Sequence, residues 1–170
     1  MSEEKPTIDS EEFRLIASSS FLTGVTVIST RIDDKLYGLT ANAVTSFSLD
    51  PPSLLVCIAV TSDTGNQILI SSAFGVSVLA EDQQSIAQMF ASDKEDKFKS
   101  VQWHLGENGM PLISGSVATF ECNLEHYTNV FDHWIFVGRI STLKFYPSRK
   151  PLCFYKSRYW TAILKSASPS

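Results

Sequence analysis

Several things are scarce in this sequence, and each shortage excludes a class of function. Basic residues never gather into a cluster of five or six, and the net charge is −4 with a pI of about 5.3. That excludes a nucleic-acid binder, which needs such clusters to neutralise phosphates. The longest apolar run, residues 54–60, is too short to cross a bilayer, so no membrane partner is expected. The opening MSEEKPTIDSEE is polar and acidic, unlike a signal or transit peptide, and the default compartment is the cytoplasm. There are three cysteines, Cys57, Cys122 and Cys153, each inside an apolar run and none in a C-x-x-C pair. They read as buried, reduced thiols. His104, His126 and His133 lack ligand-like spacing, so nothing points to a metal. Neither a G-x-G-x-x-G fingerprint nor a P-loop is present, and strands do not alternate regularly with helices.

Charge is also missing from one particular stretch. Residues 36–52 read LYGLTANAVTSFSLDPP, and no charged side chain lies between Lys35 and Asp50. Read as one extended strand, its side chains alternate between faces. Leu39, Ala41, Ala43, Thr45, Phe47 and Leu49 form a core face; Thr40, Asn42, Val44, Ser46 and Ser48 form the other, with three hydroxyls and an amide. A neutral hydrogen-bonding face suits a polar, uncharged heterocycle edge. The plainer reading, a half-exposed strand rich in Ser and Thr, stays open.

The rest of the chain reads as support. Asp9 and Glu12 fit a capping box, followed by a short amphipathic helix that packs Phe13, Ile16 and Phe21 on the domain. Residues 22–32 are strand-like and form a hairpin with the neutral stretch through Asp33-Asp34-Lys35. Pro51 and Pro52 end that stretch, and 53–60 is a strand apolar on both faces. The polar loop 61–66 leads into a helix with Thr64 and Gln67 as its capping box, ending near Phe74-Gly75. Such a helix start favours anions, although a plain N-cap is commoner. A strand over 74–79, a helix over 82–92 and a charge run over 93–100 follow; Lys94 or Lys97 in that run could reach a phosphate. Residues 103–116 read as loop. Then come an alternating strand over 117–126, with Thr119, Glu121 and Asn123 on its polar face, a long strand over 132–145 and a short one over 152–155. The expected organisation is a flexible arm over 1–8, one domain over 9–163 and a flexible tail over 164–170. The fold class is mainly β: an antiparallel barrel or sandwich with short helices.

Six segments in order then resemble the short-chain flavin reductase family, the group that includes the small reductase component of two-component aromatic hydroxylases such as 4-hydroxyphenylacetate 3-monooxygenase. They are GVTVIST from Gly24, GLTANAVTSFSLDPPSLLVCI from Gly38, FGVSVLAEDQQSIAQMFAS from Phe74, GMPLISGSVATFEC from Gly109, DHWIFVGRI from Asp132 and PLCFYKSRYW from Pro151. The resemblance implies an FMN-binding split barrel of antiparallel Greek-key type, usually a homodimer, that uses NADH or NADPH to reduce FMN or FAD. By the same resemblance, Thr40, Ala41, Asn42 and Ala43 lie along the isoalloxazine ring and Ser46 and Ser48 near the ring or ribityl chain. Ser62, Thr64 and Asn66 meet the ribityl-phosphate arm, and Phe90, Ala91, Ser92, Lys97 and Phe98 form a second flavin-side region. His133 stands where the family has the histidine of Gly-Asp-His, on the nicotinamide side, and Tyr155, Arg158 and Tyr159 belong to the segment closing that pocket. On its residues alone, His133 is equally a structural histidine.

Two departures stand out. Phe131 replaces the glycine of Gly-Asp-His, which implies a different turn and a narrower pocket, and the loop 61–66 lacks a basic residue. The function implied is hydride transfer from a nicotinamide cofactor to a flavin, with reduced flavin passed to a partner monooxygenase. The alternatives are a split-barrel protein with tightly held flavin acting on its own substrate, and a non-catalytic flavin carrier.

Overall fold

The structure, a computed structural model, describes residues 9–162. The expected arm over 1–8 and tail over 164–170 lie outside those residues. Helix α1, Ser10–Ser20, starts where Asp9 accepts a hydrogen bond from the Glu11 N–H (3.0 Å), the cap that the sequence suggests. Its apolar side does not pack as expected: Phe13, Ile16 and Phe21 all remain exposed on this chain.

Among the described residues twelve strands follow: β1 Thr23–Gly24, β2 Thr26–Ile32, β3 Lys35–Ala41, β4 Val44–Leu49, β5 Pro52–Ala59, β6 Ala73–Val78, β7 Trp103–Leu105, β8 Pro111–Ile113, β9 Ala118–Val130, β10 His133–Phe145, β11 Leu152–Tyr155 and β12 Arg158–Thr161. Helices α2, Asp63–Ser71, and α3, Gln84–Phe90, and a 3₁₀ turn at Lys97–Ser100 sit between them. Seven strands pair antiparallel in the order β3-β2-β6-β9-β10-β5-β4.

The two ends of that order, β3 and β4, are neighbours in sequence, joined by Asn42 and Ala43 alone. The sheet must therefore curl until its edges meet at this link, giving a split barrel with a seam. All seven strands send apolar side chains to its interior: Ile28, Leu39, Val44, Val56, Phe74, Cys122 and Phe136 represent one each, with Ile68 of α2 packed among them. A second core outside the barrel joins Val25, Val27 and Leu79 to Ala87 and Phe90 of α3, Phe98, Ile113 and Leu152. Strand β2 thus lies between two cores, and Thr26 to Thr30 are all buried.

The link overturns the reading of 36–52 as one strand. Alternation restarts when the chain crosses from one sheet edge to the other, so Val44 turns inward while Phe47 and Leu49 turn outward, 59% and 92% exposed. Three other expectations change. Helix α2 is capped by Ser62, whose Oγ accepts from the Gly65 N–H (3.3 Å), rather than by Thr64. It ends at Ser72 in the left-handed region (φ 56°), short of Phe74-Gly75. Residues 103–116 contain the β7–β8 hairpin. Glu121, on the expected polar face of β9, is 1% exposed. Its carboxylate accepts from the N–H groups of Asn108 (2.9 Å) and Met110 (3.0 Å) and from Thr142 Oγ1 (2.7 Å), pinning the turn of that hairpin.

The β9–β10 hairpin turns through Phe131 and Asp132, with Val130 opposite His133. Phe131 occupies the left-handed region (φ 56°), so the conformation glycine favours persists without glycine. Its ring is 94% exposed and does not line the cleft described next; a narrower pocket is not what results.

Candidate functional site

A cleft of about 1380 Å³ opens along the seam. Strand β3 and the link residues Asn42 and Ala43 form its length. The α2 start (Thr61, Ser62, Asp63, Thr64) lies along it with Cys57, Ala59 and His133. Phe90 at the end of α3 and the segment 91–99 complete the lining, with Trp103.

Strand β3 is an edge strand, and this decides what the cleft can bind. The tight turn at Asp33–Asp34 makes Ile32 and Lys35 its closing pair, so the odd residues of β3 spend their backbone groups on β2. Leu36, Gly38 and Thr40 direct their N–H and C=O away from β2. Lys97 Nζ donates to the Gly38 carbonyl (3.4 Å), as that phase requires. The cleft thus has a row of backbone donors and acceptors beside the uncharged side chain of Asn42. The Thr40 hydroxyl is already engaged, donating to the Ala87 carbonyl (2.6 Å), so it ties α3 to β3 and keeps only acceptor capacity toward a ligand.

At one end, Ser62 caps α2 but leaves the first-turn N–H groups of Asp63 and Thr64 outside the helical ladder. Toward the other, Lys97 donates to the Phe90 carbonyl (3.1 Å) as well as to Gly38, and burial lowers its pKa while the charge of Asp93 opposes the shift. Its ammonium closes the C-terminal end of α3, which is a structural task. His133 is exposed, with Nδ1 2.8 Å from Asp132 Oδ1. That hydrogen bond, one from Asp132's own backbone and the charge of His133 hold the Asp132 carboxyl below its ordinary range.

Of the residues singled out in the sequence, Thr40, Ala41, Asn42, Ala43, Ser62, Thr64, Phe90, Ala91, Ser92, Lys97, Phe98 and His133 line this one cleft. Six others do not. Ser46 and Ser48 lie on β4 beyond the link, and Ser48 Oγ accepts from the Asp50 N–H (3.2 Å). Asn66 has turned away within α2. Tyr155, Arg158 and Tyr159 form the β11–β12 hairpin, where Tyr159 packs edge-on against Phe154 at 5.4 Å and serves the outer core. Sequence reading missed Asp34 to Leu39, Cys57, Ile58, Ala59, Thr61, Asp63, Asp93, Glu95, Asp96, Lys99 and Trp103, whereas Lys94, singled out as able to reach a phosphate, does line the cleft. The edge position of β3 would have found the first group, but local pattern carries no such signal. Residues 53–60 looked apolar on both faces, yet Cys57 and Ala59 are half-buried and line the cleft, while Val56 is buried in the barrel and Ile58, also buried, reaches the cleft wall. Burial in turn raises the Cys57 thiol pKa.

Residues 18–162 match the family model described as the flavin reductase like domain. The chain belongs to that family. It is 38% identical over 152 residues to the reductase subunit HsaB of a flavin-dependent monooxygenase of Rhodococcus jostii, covering 89% of this chain and 77% of that protein. The NADH:FAD oxidoreductase SgcE6 of Streptomyces globisporus superposes with a TM-score of 0.88 at 34% identity, covering 96% of this chain and 99% of that one. BorF, the flavin reductase component of a bacterial two-component tryptophan halogenase, superposes with a TM-score of 0.85 at 38% identity, covering 92% and 100%. The fold is that of these flavin reductases, a split barrel built mainly of β-strands. Among the described residues, no helix is long and apolar enough to cross a membrane, and no cluster of three metal-ligating side chains forms.

Proposed function

We propose that this chain is an NAD(P)H:flavin oxidoreductase that reduces FMN or FAD and releases it to a partner monooxygenase. The observation that carries the reading is the free edge of β3, an uncharged row of backbone N–H and C=O groups beside Asn42, running to the α2 start. A flavin fits this row, because its carbonyls and ring nitrogens need neutral donors and acceptors in one line. Family membership and the named functions of the relatives support the same reading.

When bound, nicotinamide and flavin supply the hydride chemistry, and no protein nucleophile is required. The protein's part is to position and to stabilise. The N–H groups of Gly38 and Thr40, the Asn42 amide and the Thr40 lone pairs orient the ring edge and place donors where negative charge accumulates on reduction. The first turn of α2 favours the phosphate, with Ser62 holding that turn in shape and the Asp63 carboxylate working against it. His133 borders the cleft with Nδ1 hydrogen-bonded to Asp132, which fixes the ring's orientation and leaves Nε2 to meet a carboxamide.

The barrel's outer face supports a homodimer. Thr45, Leu55 and Val137 align across β4, β5 and β10, with Cys57 beside Ile135, and Phe47 and Leu49 stand exposed next to them. Nothing among the described residues covers this apolar face, and a second copy of the chain suits it. Three free cysteines fit a reducing compartment, the cytoplasm.

The test is steady-state oxidation of NADH and of NADPH with and without added FMN or FAD. A rate that rises and saturates with free flavin is the expected result. A protein that carries flavin through desalting, with a rate indifferent to added flavin, makes flavin a prosthetic group instead. No oxidation under any combination ends the reductase reading.

A further inference from the structure

One buried acid has no part in the cleft. Glu121 on β9 is 1% exposed and does not line it. Among the described residues, no cation lies within ion-pair distance of its carboxylate. A carboxylate buried without a counter-ion has to be held by hydrogen-bond donors aimed at it. Oε1 accepts from the N–H groups of Asn108 (2.9 Å) and Met110 (3.0 Å), and Oε2 from Thr142 Oγ1 (2.7 Å). Gly106 lets the turn close over the carboxylate, because a Cβ there would run into it. Hydrogen bonds to a carboxylate are roughly twice as strong as neutral ones, so the turn over 106–110 is gripped firmly from β9.

That turn carries the strand that walls the cleft. β7 and β8 form a sheet of their own, apart from the seven-stranded one. β8 is wholly buried, and Ser77 Oγ accepts from its Ile113 N–H (2.9 Å). β7 has β8 as its one neighbour in the sheet, and His104 and Leu105 are exposed. A strand of three residues with one neighbour frays unless its ends are held. One end is the turn under Glu121, which also closes through the Gly106 N–H to the Met110 carbonyl (2.9 Å). The other end is Trp103, half-buried in the cleft lining, next to the Gln102 carbonyl that accepts from the Ser114 N–H (2.9 Å). Trp103 meets Phe98 edge-on at 5.8 Å, and Phe98 meets Phe90 edge-on at 5.0 Å. Both phenylalanines press on Gly38 of β3, where a Cβ would stand 2.7 Å from Phe90 Cε1 and 3.1 Å from Phe98 Cζ.

We propose that Glu121 is a positioning residue of the reductase, holding the cleft wall in place from behind through β7. Its carboxylate fixes the turn, and the turn fixes β7. β7 in turn sets Trp103 against Phe98 and Phe90, which back the Gly38 stretch of the free edge. Close-packed side chains pass a displacement on rather than absorb it. Loosening the turn therefore widens the cleft without altering any group that meets a ligand. The proposal rests on the flavin reductase reading, and the experiment separates the failure of one from the failure of the other.

Two variants loosen the grip from opposite sides. Glu121→Gln keeps the shape but turns an amide donor toward backbone donors, and Gly106→Ala pushes the carboxylate aside while leaving it in the chain. Both are compared with the unaltered protein and with Trp103→Ala. Hydrogen exchange of the ligand-free proteins, followed by mass spectrometry, reads the wall without any turnover. Protection is expected to fall in both variants over 103–110 and also over 97–102, beyond the turn itself. In steady-state assays, KM for flavin and for NADH is expected to rise about fivefold while kcat holds. In the Trp103→Ala background, Glu121→Gln should add no further rise, because the grip acts through Trp103. A Glu121 that only stabilises the fold gives a lower Tm, exchange confined to 106–110 and an unchanged KM below the transition, and that pattern overturns the proposal. So does a KM rise that adds in full to that of Trp103→Ala. Where Glu121→Gln fails to fold, Gly106→Ala decides by the same readouts. An absence of turnover in the unaltered protein sinks the reductase reading instead, and exchange over 97–102 then decides the role of Glu121 by itself.

Discussion

Phe131 holds a left-handed conformation at a hairpin tip with its ring almost wholly in solvent. That backbone costs a residue with a Cβ about 1–2 kcal/mol, while replacing it by glycine adds unfolded-state entropy worth about 0.4–1 kcal/mol. No burial is lost on truncation. Phe131→Gly is therefore expected to stabilise the protein by about 0.5–1 kcal/mol, a rise in Tm of a few degrees at this chain length, read by thermal denaturation. The neighbouring Asp132 gives a pH signature. Its carboxyl is held below its ordinary value by the hydrogen bond to His133. The stability this adds is complete above the ordinary carboxylate value and is lost as pH falls through the depressed one. Asp132→Asn should remove that acid-side component from a stability-versus-pH profile; an unchanged profile would show that the pair does not act. The turn's position was legible as Asp-His before an apolar strand. Its conformation was not, because the residue that usually announces it is absent.

At the scale of elements, Ser62 and its helix show how far local sequence reaches. Caps depend on residues three or four apart, so the start of α1 at Asp9 was readable to the residue. The α2 start was misread by two positions, because Thr64 offers the same hydroxyl as Ser62 and only Ser62 has the extended backbone of a cap. Ser62→Ala should destabilise the protein by about 1 kcal/mol and weaken binding of flavin phosphate in proportion to the fraying of the first turn. Comparing FMN with riboflavin in the same variant checks this, since riboflavin has no phosphate to lose. Glu121 lies at the other extreme. Its partners are backbone N–H groups of residues 108 and 110, and no spacing in the sequence reveals a carboxylate buried against a turn. Tyr155, Arg158 and Tyr159 were placed at the cleft by resemblance, yet on this chain their hairpin does not line it: Tyr159 packs on the outer core and Arg158 is exposed.

For the whole molecule, class could be read because period-two alternation and turn residues are local, but the strand count could not: β4 was joined to β3, and the short β7, β8 and β12 were not set apart as strands. Nor could the seam: alternation says that 36–49 is extended, and nothing in it says that the chain changes partner at Asn42. The barrel's tightness is visible at Gly138, where a Cβ would stand 2.3 Å from Phe74 Cζ and 2.8 Å from Cys122 Cβ. Gly138→Ala should cost roughly 1–3 kcal/mol or more, measured by denaturant unfolding. The proposed dimer has its own test: Leu55→Lys on the outer face should shift the sedimentation of the intact protein from dimer to monomer, and a monomeric unaltered protein would dismiss the interface. The free edge of β3 carries a further consequence. Backbone groups able to greet a heterocycle are equally able to greet a strand of another chain, so the recognition row is also a template for misassembly. Lys35 and Lys97, set along that edge, act as gatekeepers against it, and a ligand lying in the cleft would protect the protein's solubility as well as serve its chemistry.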